Sequence, residues 1–119
     1  MEIEIGEYVR TRDGKIGKII DITNITGQTR KKYLVKCDID KAYYITTIRI
    51  IKHSKNIIDI IEVGDYVNGK EVLRINDYED FKRADFNLDY DDTDAVYNDD
   101  IKSIATKEQL SNIEYKVEE

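Results

Sequence analysis

Few side chains in this sequence are placed to do chemistry. His53 is the only histidine and Cys37 the only cysteine. His53 lies between Lys52 and Ser54 at an expected strand end, Cys37 lies between Lys36 and Asp38, and neither has a partner at the spacing a nucleophile and its base require. His53 reads as a surface residue and Cys37 as a packed or edge-strand thiol. No catalytic residue, metal site or cofactor is assigned, and the chain is expected not to be an enzyme.

The densest group of potential ligands is acidic. Asp89, Tyr90, Asp91, Asp92, Asp94, Tyr97, Asp99 and Asp100 fall within one short stretch. Counted from Asp89, a calcium loop would place the oxygen donors Asp89, Asp91, Thr93 and Asp100 at its positions 1, 3, 5 and 12. Asp94 occupies the sixth position, where glycine makes the sharp turn, Asp100 replaces the bidentate glutamate, and no helices are expected on either side. The plain reading is a solvated acidic loop. The functional reading is a surface that docks onto a basic partner, because carboxylates this dense repel one another unless something opposes them. Tyr78, Phe81, Tyr90 and Tyr97 are interleaved with them, and carboxylates can stand where nucleic-acid phosphates would. The eight residues from Asp89 to Asp100 named above are therefore the partner-binding candidates.

Basic residues gather elsewhere. Arg10, Arg12, Lys15 and Lys18 surround an expected hairpin, and with Arg30, Lys31 and Lys32 they form a modest patch that could touch phosphate. Three bases beside a loop also serve simply to keep an edge strand soluble.

These groups sit on a duplicated frame. Ile5-Gly6-Glu7-Tyr8-Val9 recurs as Val63-Gly64-Asp65-Tyr66-Val67, 58 residues later. Glu2 to Ile5 alternates as a strand does, Tyr8 to Thr11 is a second run, Asp13-Gly14 is a hairpin turn, and Ile16 to Thr23 returns with Gly17 marking a bulge or close backbone approach. Asn24 to Arg30 reads as a loop. Lys31 to Asp38 and Tyr43 to Lys52 read as strands joined by a turn at Asp38 to Lys41; Ser54 caps a helical turn, and Ile58 to Glu62 closes the unit. In the second copy Asn68-Gly69 is the hairpin turn and Lys70 to Ile75 the return. Phe86 to Leu88 and Ala95 to Tyr97 are short strand candidates. Thr106 followed by Gln109 has capping-box spacing for a helix from Lys107 to about Asn112, and Ile113 to Val117 alternates as a last strand.

The expectation is a mainly β protein of two tandem SH3-like barrels, residues 1–62 and 63–119. The first carries 12 Lys and Arg against 9 Asp and Glu, a net of +3; the second carries 7 against 16, a net of −9. Units of this size bury little apolar surface each. The lone cysteine excludes an internal disulfide and suits a reducing cytoplasm. No apolar run approaches the roughly 18 residues that span a bilayer, and Met1-Glu2-Ile3-Glu4 is unlike a signal peptide.

Gly6, Glu7, Val9, Gly14, Gly17 and Ile19 together resemble the KOW-type version of the SH3-like barrel, whose known members bind RNA or protein. The phrases Ile5 to Lys18, Lys52 to Asp59, Val63 to Gly69 and Ile101 to Val117 resemble small proteins carried by phages and prophages of low-GC Gram-positive bacteria. That group has no established shared activity. The resemblance implies a phage accessory protein in the cytoplasm of an infected or lysogenic bacterium, binding a host protein with a basic surface, such as a nucleic-acid-binding protein of a defence system. The alternative is a KOW-like RNA- or DNA-binding module working through the basic first hairpin.

Overall fold

A computed structural model describes residues 2–24, 31–38, 41–88 and 94–113. Apart from one helix the described elements are strands and 3-10 turns, every pairing is antiparallel, and the protein is mainly β. The chain divides into two compact units, Met1–Ile60 and Ile61–Glu119.

In the first unit β1 (Tyr8–Thr11), β2 (Ile16–Asn24), β3 (Lys31–Asp38), β4 (Lys41–Thr46) and β5 (Ile50–Ser54) form one sheet in the order β4-β3-β2-β1-β5. The alternating residues 2–5 are not a strand. Gly6 at φ +95° and the bond from the Glu7 N–H to the Glu4 carbonyl turn the chain there, while Ile3 still drops into the core. The first hairpin also differs from expectation. Asp13 does not adopt positive φ; only Gly14 does, at +83°, and Thr11 pairs with Lys15 across a three-residue loop. The Thr11 hydroxyl donates to the Asp13 carboxylate and accepts the Lys15 N–H, which stabilises that longer turn.

Residues 43–52 are two strands rather than one. The 3-10 turn Thr47–Arg49 separates β4 from β5 and carries the chain between opposite edges of the sheet, where β5 can pair with β1. Arg12 secures that turn, its backbone N–H donating to the Arg49 carbonyl and its Nε to that of Ile48. Ile57–Ile60 is a second 3-10 turn, not a closing strand; Ser54 accepts the Asn56 N–H and donates to Asp59 ahead of it. Gly17 marks a close approach, since a Cβ there would lie 2.3 Å from the Val35 side chain and 2.9 Å from the Lys36 carbonyl. The core of this unit joins Ile3, Val9, Ile19, Tyr33, Val35, Ile45 and Ile50.

The second unit has two three-stranded sheets. One contains β6 (Tyr66–Val67), β7 (Lys70–Glu71) and β11 (Ile104–Ala105) in the order β11-β6-β7; the other contains β8 (Arg74–Asp77), β9 (Lys82–Asp85) and β10 (Ala95–Tyr97) in the order β10-β9-β8. Asn68 and Gly69 both take positive φ, +52° and +83°, as a two-residue hairpin turn requires. The expected single return strand splits at Val72 and Leu73, whose N–H groups donate to Asp65 and Asp85 carbonyls. A strand at 86–88 is not found: β9 ends at Asp85, and the Phe86 N–H beyond it donates to the Asp94 carbonyl. The 3-10 turn Asn98–Asp100 precedes β11, and α1 (Lys107–Ile113) follows it with the Thr106 hydroxyl accepting the Gln109 N–H at 3.4 Å. The expected loop over 25–30, the turn through 39 and 40, and the last strand beyond Ile113 lie outside the described residues.

Both copies of the repeated five residues have one geometry. Gly6 and Gly64 sit at φ +95° and +99°; their N–H groups donate to the carbonyls of Ile19 and Val72. The acid's carboxylate accepts a backbone N–H three residues upstream, from Glu4 in the first copy and Glu62 in the second. Its other oxygen reaches across the unit. In the first copy Glu7 Oε1 lies 2.9 Å from His53 Nδ1 on β5; in the second the shorter Asp65 accepts the Lys107 N–H at the start of α1, at 3.0 Å. The repeat is thus a carboxylate clasp that fastens the first turn of a unit to a segment far along the chain, β5 in the first unit and the start of α1 in the second.

Candidate functional site

The described part of the acidic section carries an aromatic platform. The tip of the β8–β9 hairpin is Glu79-Asp80, and below it the Tyr78 N–H donates to the Phe81 carbonyl. Tyr78 and Phe81 rings lie 4.7 Å apart, and Tyr97 on β10 brings its ring 5.8 Å from Phe81. All three are nearly half exposed, at 44%, 48% and 45%, which is unusual for aromatic rings already packed on one another. Asp99 and Asp100 follow Tyr97 on the exposed 3-10 turn.

A buried ionic network holds the platform's strands in register. Asp85 is only 4% exposed; it accepts Arg74 Nε and Nη2 at 3.0 and 2.8 Å and Asn76 Nδ2 at 2.6 Å. Arg83 Nε approaches Asp85 Oδ1 at 2.7 Å as an ion pair poorly aligned for hydrogen bonding. The Arg83 guanidinium then lies 5.7 Å from the centre of the Tyr78 ring, and Asp85 first, then the Tyr97 side chain, push its pKa up. The network thereby aims two of the three platform rings.

Of the partner-binding candidates, Asp89, Tyr90, Asp91 and Asp92 lie outside the described residues. Asp94 forms an ion pair with Lys70 at 3.0 Å, while Tyr97, Asp99 and Asp100 are exposed. Phe81 and Arg83 border these residues; Phe81 is among the interleaved aromatics, whereas nothing in the residue pattern singles out Arg83.

The basic group is dispersed. Arg10 is fully buried and donates through Nη1 to the Ile60 carbonyl at 3.1 Å, so it leaves the surface patch. The physical reason is that β1 has strands on both edges and the turn Ile57–Ile60 packed against it, so the alternation Val9 in, Arg10 out does not hold. Arg12 is committed to the Ile48 carbonyl, while Lys15 and Lys18 lie over the Tyr43 and Tyr8 rings at 5.3 and 5.5 Å. Lys31 and Lys32 are exposed on β3; Arg30 lies outside the described residues. Lys32 joins Tyr44, Ile45, Thr46 and Arg49 around a shallow depression of about 320 Å³ that was not foreseen.

His53 is not a plain surface residue. Its side chain is 24% exposed and faces the Glu7 carboxylate; an ionised carboxylate only accepts, so Nδ1 carries the proton that it donates. Cys37 is exposed at an irregularity between Lys36 and Asp38 in the β3–β4 pairing. Its thiol lies beside Tyr43, whose phenol is pushed well up by burial first, then by Cys37 and by the negative charge of Asp13. Neither residue has a base or nucleophile placed for covalent chemistry in the contacts described. Among the described residues no group of three or more His, Cys, Asp or Glu is arranged to hold a metal ion, and no helix is long and apolar enough to cross a membrane.

The chain matches no protein-family model, no curated protein and no solved structure. Functional inference therefore starts from the surfaces themselves, and the aromatic platform with its acidic border is the most developed of them.

Proposed function

We propose that this is a non-enzymatic accessory protein of a phage or prophage of low-GC Gram-positive bacteria, built of two tandem SH3-like barrels and acting by protein–protein binding. The sheet order β4-β3-β2-β1-β5 with a 3-10 turn ahead of β5 supports the barrel reading of the first unit. A 3-10 turn ahead of β11, and the pairing of β11 with β6, support it in the second.

The observation that carries the binding function is the exposed stack Tyr78–Phe81–Tyr97 within residues 63–119, of net charge −9. Rings supply contact area at low entropic cost and carboxylates supply steering, so the surface suits a partner with a basic face. In a phage setting the partner is a host protein whose nucleic-acid cleft is basic, with carboxylates occupying the phosphate positions. Affinity capture from host lysate is expected to enrich a basic protein that is released by salt and displaced by competing DNA. Retention of that protein, at unchanged salt sensitivity, by a variant with Glu79, Asp80, Asp99 and Asp100 replaced by their amides would sink the acidic-surface reading.

A second reading is nucleic-acid binding by the first unit. Burial of Arg10 moves it from the hairpin to the depression, where Lys32 and Arg49 stand beside the 56% exposed ring of Tyr44. Charge reversal at Lys32 and Arg49 is expected to abolish any low-salt mobility shift of single-stranded RNA or DNA. A shift of the same size in that variant would dispose of this reading.

A further inference from the structure

The aromatic platform has an internal precedent for what it would hold. Tyr78 already has a guanidinium over it, that of Arg83, while Phe81, at the centre of the stack, is 48% exposed and meets its ring neighbours at tilts of 32° and 48°. The tilts leave ring faces open at an angle to one another. A flat, weakly hydrated cation can lie on such faces, whereas a compact, strongly hydrated ammonium gives up more water to do so.

The local charge favours a cation over an apolar or anionic occupant. Arg74, Lys82 and Arg83 are set against Asp77, Glu79, Asp80, Asp85, Asp99 and Asp100, a balance of −3. The two arginines are held by Asp85, and Lys82 stands 3.9 Å from Asp77, so the excess lies with the exposed acids at the hairpin tip and after Tyr97. Nucleobases could stack on the same rings, but a strand's phosphates would then run past those carboxylates.

We propose that the platform recognises arginine side chains of the basic partner, the guanidinium lying on Phe81 and its neighbours while the bordering carboxylates accept its N–H groups. This rests on the binding function proposed above and adds a residue preference that acidic steering alone does not produce. Charge treats arginine and lysine alike; stacking does not.

The test compares an arginine–glycine repeat peptide with a lysine–glycine peptide of the same length, titrated at low salt into the intact chain with backbone amide shifts as the readout. The arginine peptide is expected to bind about three- to tenfold more tightly and to shift the amides of residues 78–83 and 95–100. Phe81→Leu, a half-exposed position whose loss is checked against an unchanged spectrum elsewhere, is expected to bring the arginine peptide's affinity down to that of the lysine peptide in the same variant. Equal affinities in the native chain would overturn the arginine inference and leave the acidic-surface function standing. Binding of neither peptide would overturn both. A preference that survives in Phe81→Leu and in Tyr78→Leu would also overturn it, by placing the selectivity off the platform.

Discussion

Replacing Asp65 by alanine is expected to destabilise the second unit by about 2–4 kcal/mol, because each unsatisfied donor left behind costs about 1–3 kcal/mol. Asp65 is fully buried and its two oxygens accept the N–H groups of Glu62 and Lys107, at 2.8 and 3.0 Å. It therefore ties the turn before β6 to the start of α1. The nearby Lys107–Glu62 ion pair at 2.8 Å is too exposed on the lysine side to compensate. Asp65→Asn keeps one acceptor and should lose roughly half as much. Hydrogen exchange at the Val67, Val72 and Leu110 amides reads the effect unit by unit, and unchanged protection in the alanine variant would refute the clasp.

The first copy of the clasp adds a pH dependence. Burial works against the charge of Glu7, but the Glu4 N–H and His53 outweigh it and hold the carboxyl below the ordinary 4.5. A carboxyl lowered in the folded state contributes stability above the unfolded pKa and loses it as pH falls through the folded value. Protection of the β1 amides should accordingly decline on acidification below about 4.5, and Glu7→Gln should flatten that decline.

The other large effect is expected at Asp85. Its carboxylate is the common counter-ion of Arg74 and Arg83, whose side chains are 27% and 24% exposed. Removing one partner of a buried pair costs about 3–5 kcal/mol, and partial solvation of the arginines puts Asp85→Ala near the lower end, about 3 kcal/mol. The described core of this unit contributes little to offset it: its buried apolar side chains are Ile61, Val67, Val72, Ala84 and Val96. Small domains have only a few kcal/mol in hand, so this variant should melt the β8–β9–β10 sheet or leave it largely unfolded at room temperature. Adding Arg83→Leu to Asp85→Ala removes one of two uncompensated cations and should recover part of the loss. A denaturant midpoint shared by Asp85→Ala and the native chain would show that the network is not what holds the sheet.

Legibility followed the range of the interaction. The turn at Asn68-Gly69 and the cap at Thr106 are settled by two to four adjacent residues, and the structure has them where the residue types put them. The Asp13-Gly14 turn was harder, since Thr11 competes for the backbone and shifts the loop by one residue. The break of residues 43–52 into β4 and β5 lets β5 pair along β1, with partners from Thr11↔Ile50 to Tyr8↔Ser54, far outside any local window.

For the aromatic platform, the sequence determined the ingredients: Tyr78, Phe81 and Tyr97 among acids, and a charge difference between two copies of one motif. Tertiary structure alone decided that the three rings touch, that Arg83 lies over one of them, that Arg10 is interior and that His53 faces Glu7. The physical reason is the cost of burying a charge. Whether a polar side chain sits inside depends on finding a partner tens of residues away, as Arg10 finds Ile60 and Glu7 finds His53, and no local pattern records that partner. A glycine's positive φ needs no partner, which is why the repeated turn could be recognised from the sequence and its clasp could not.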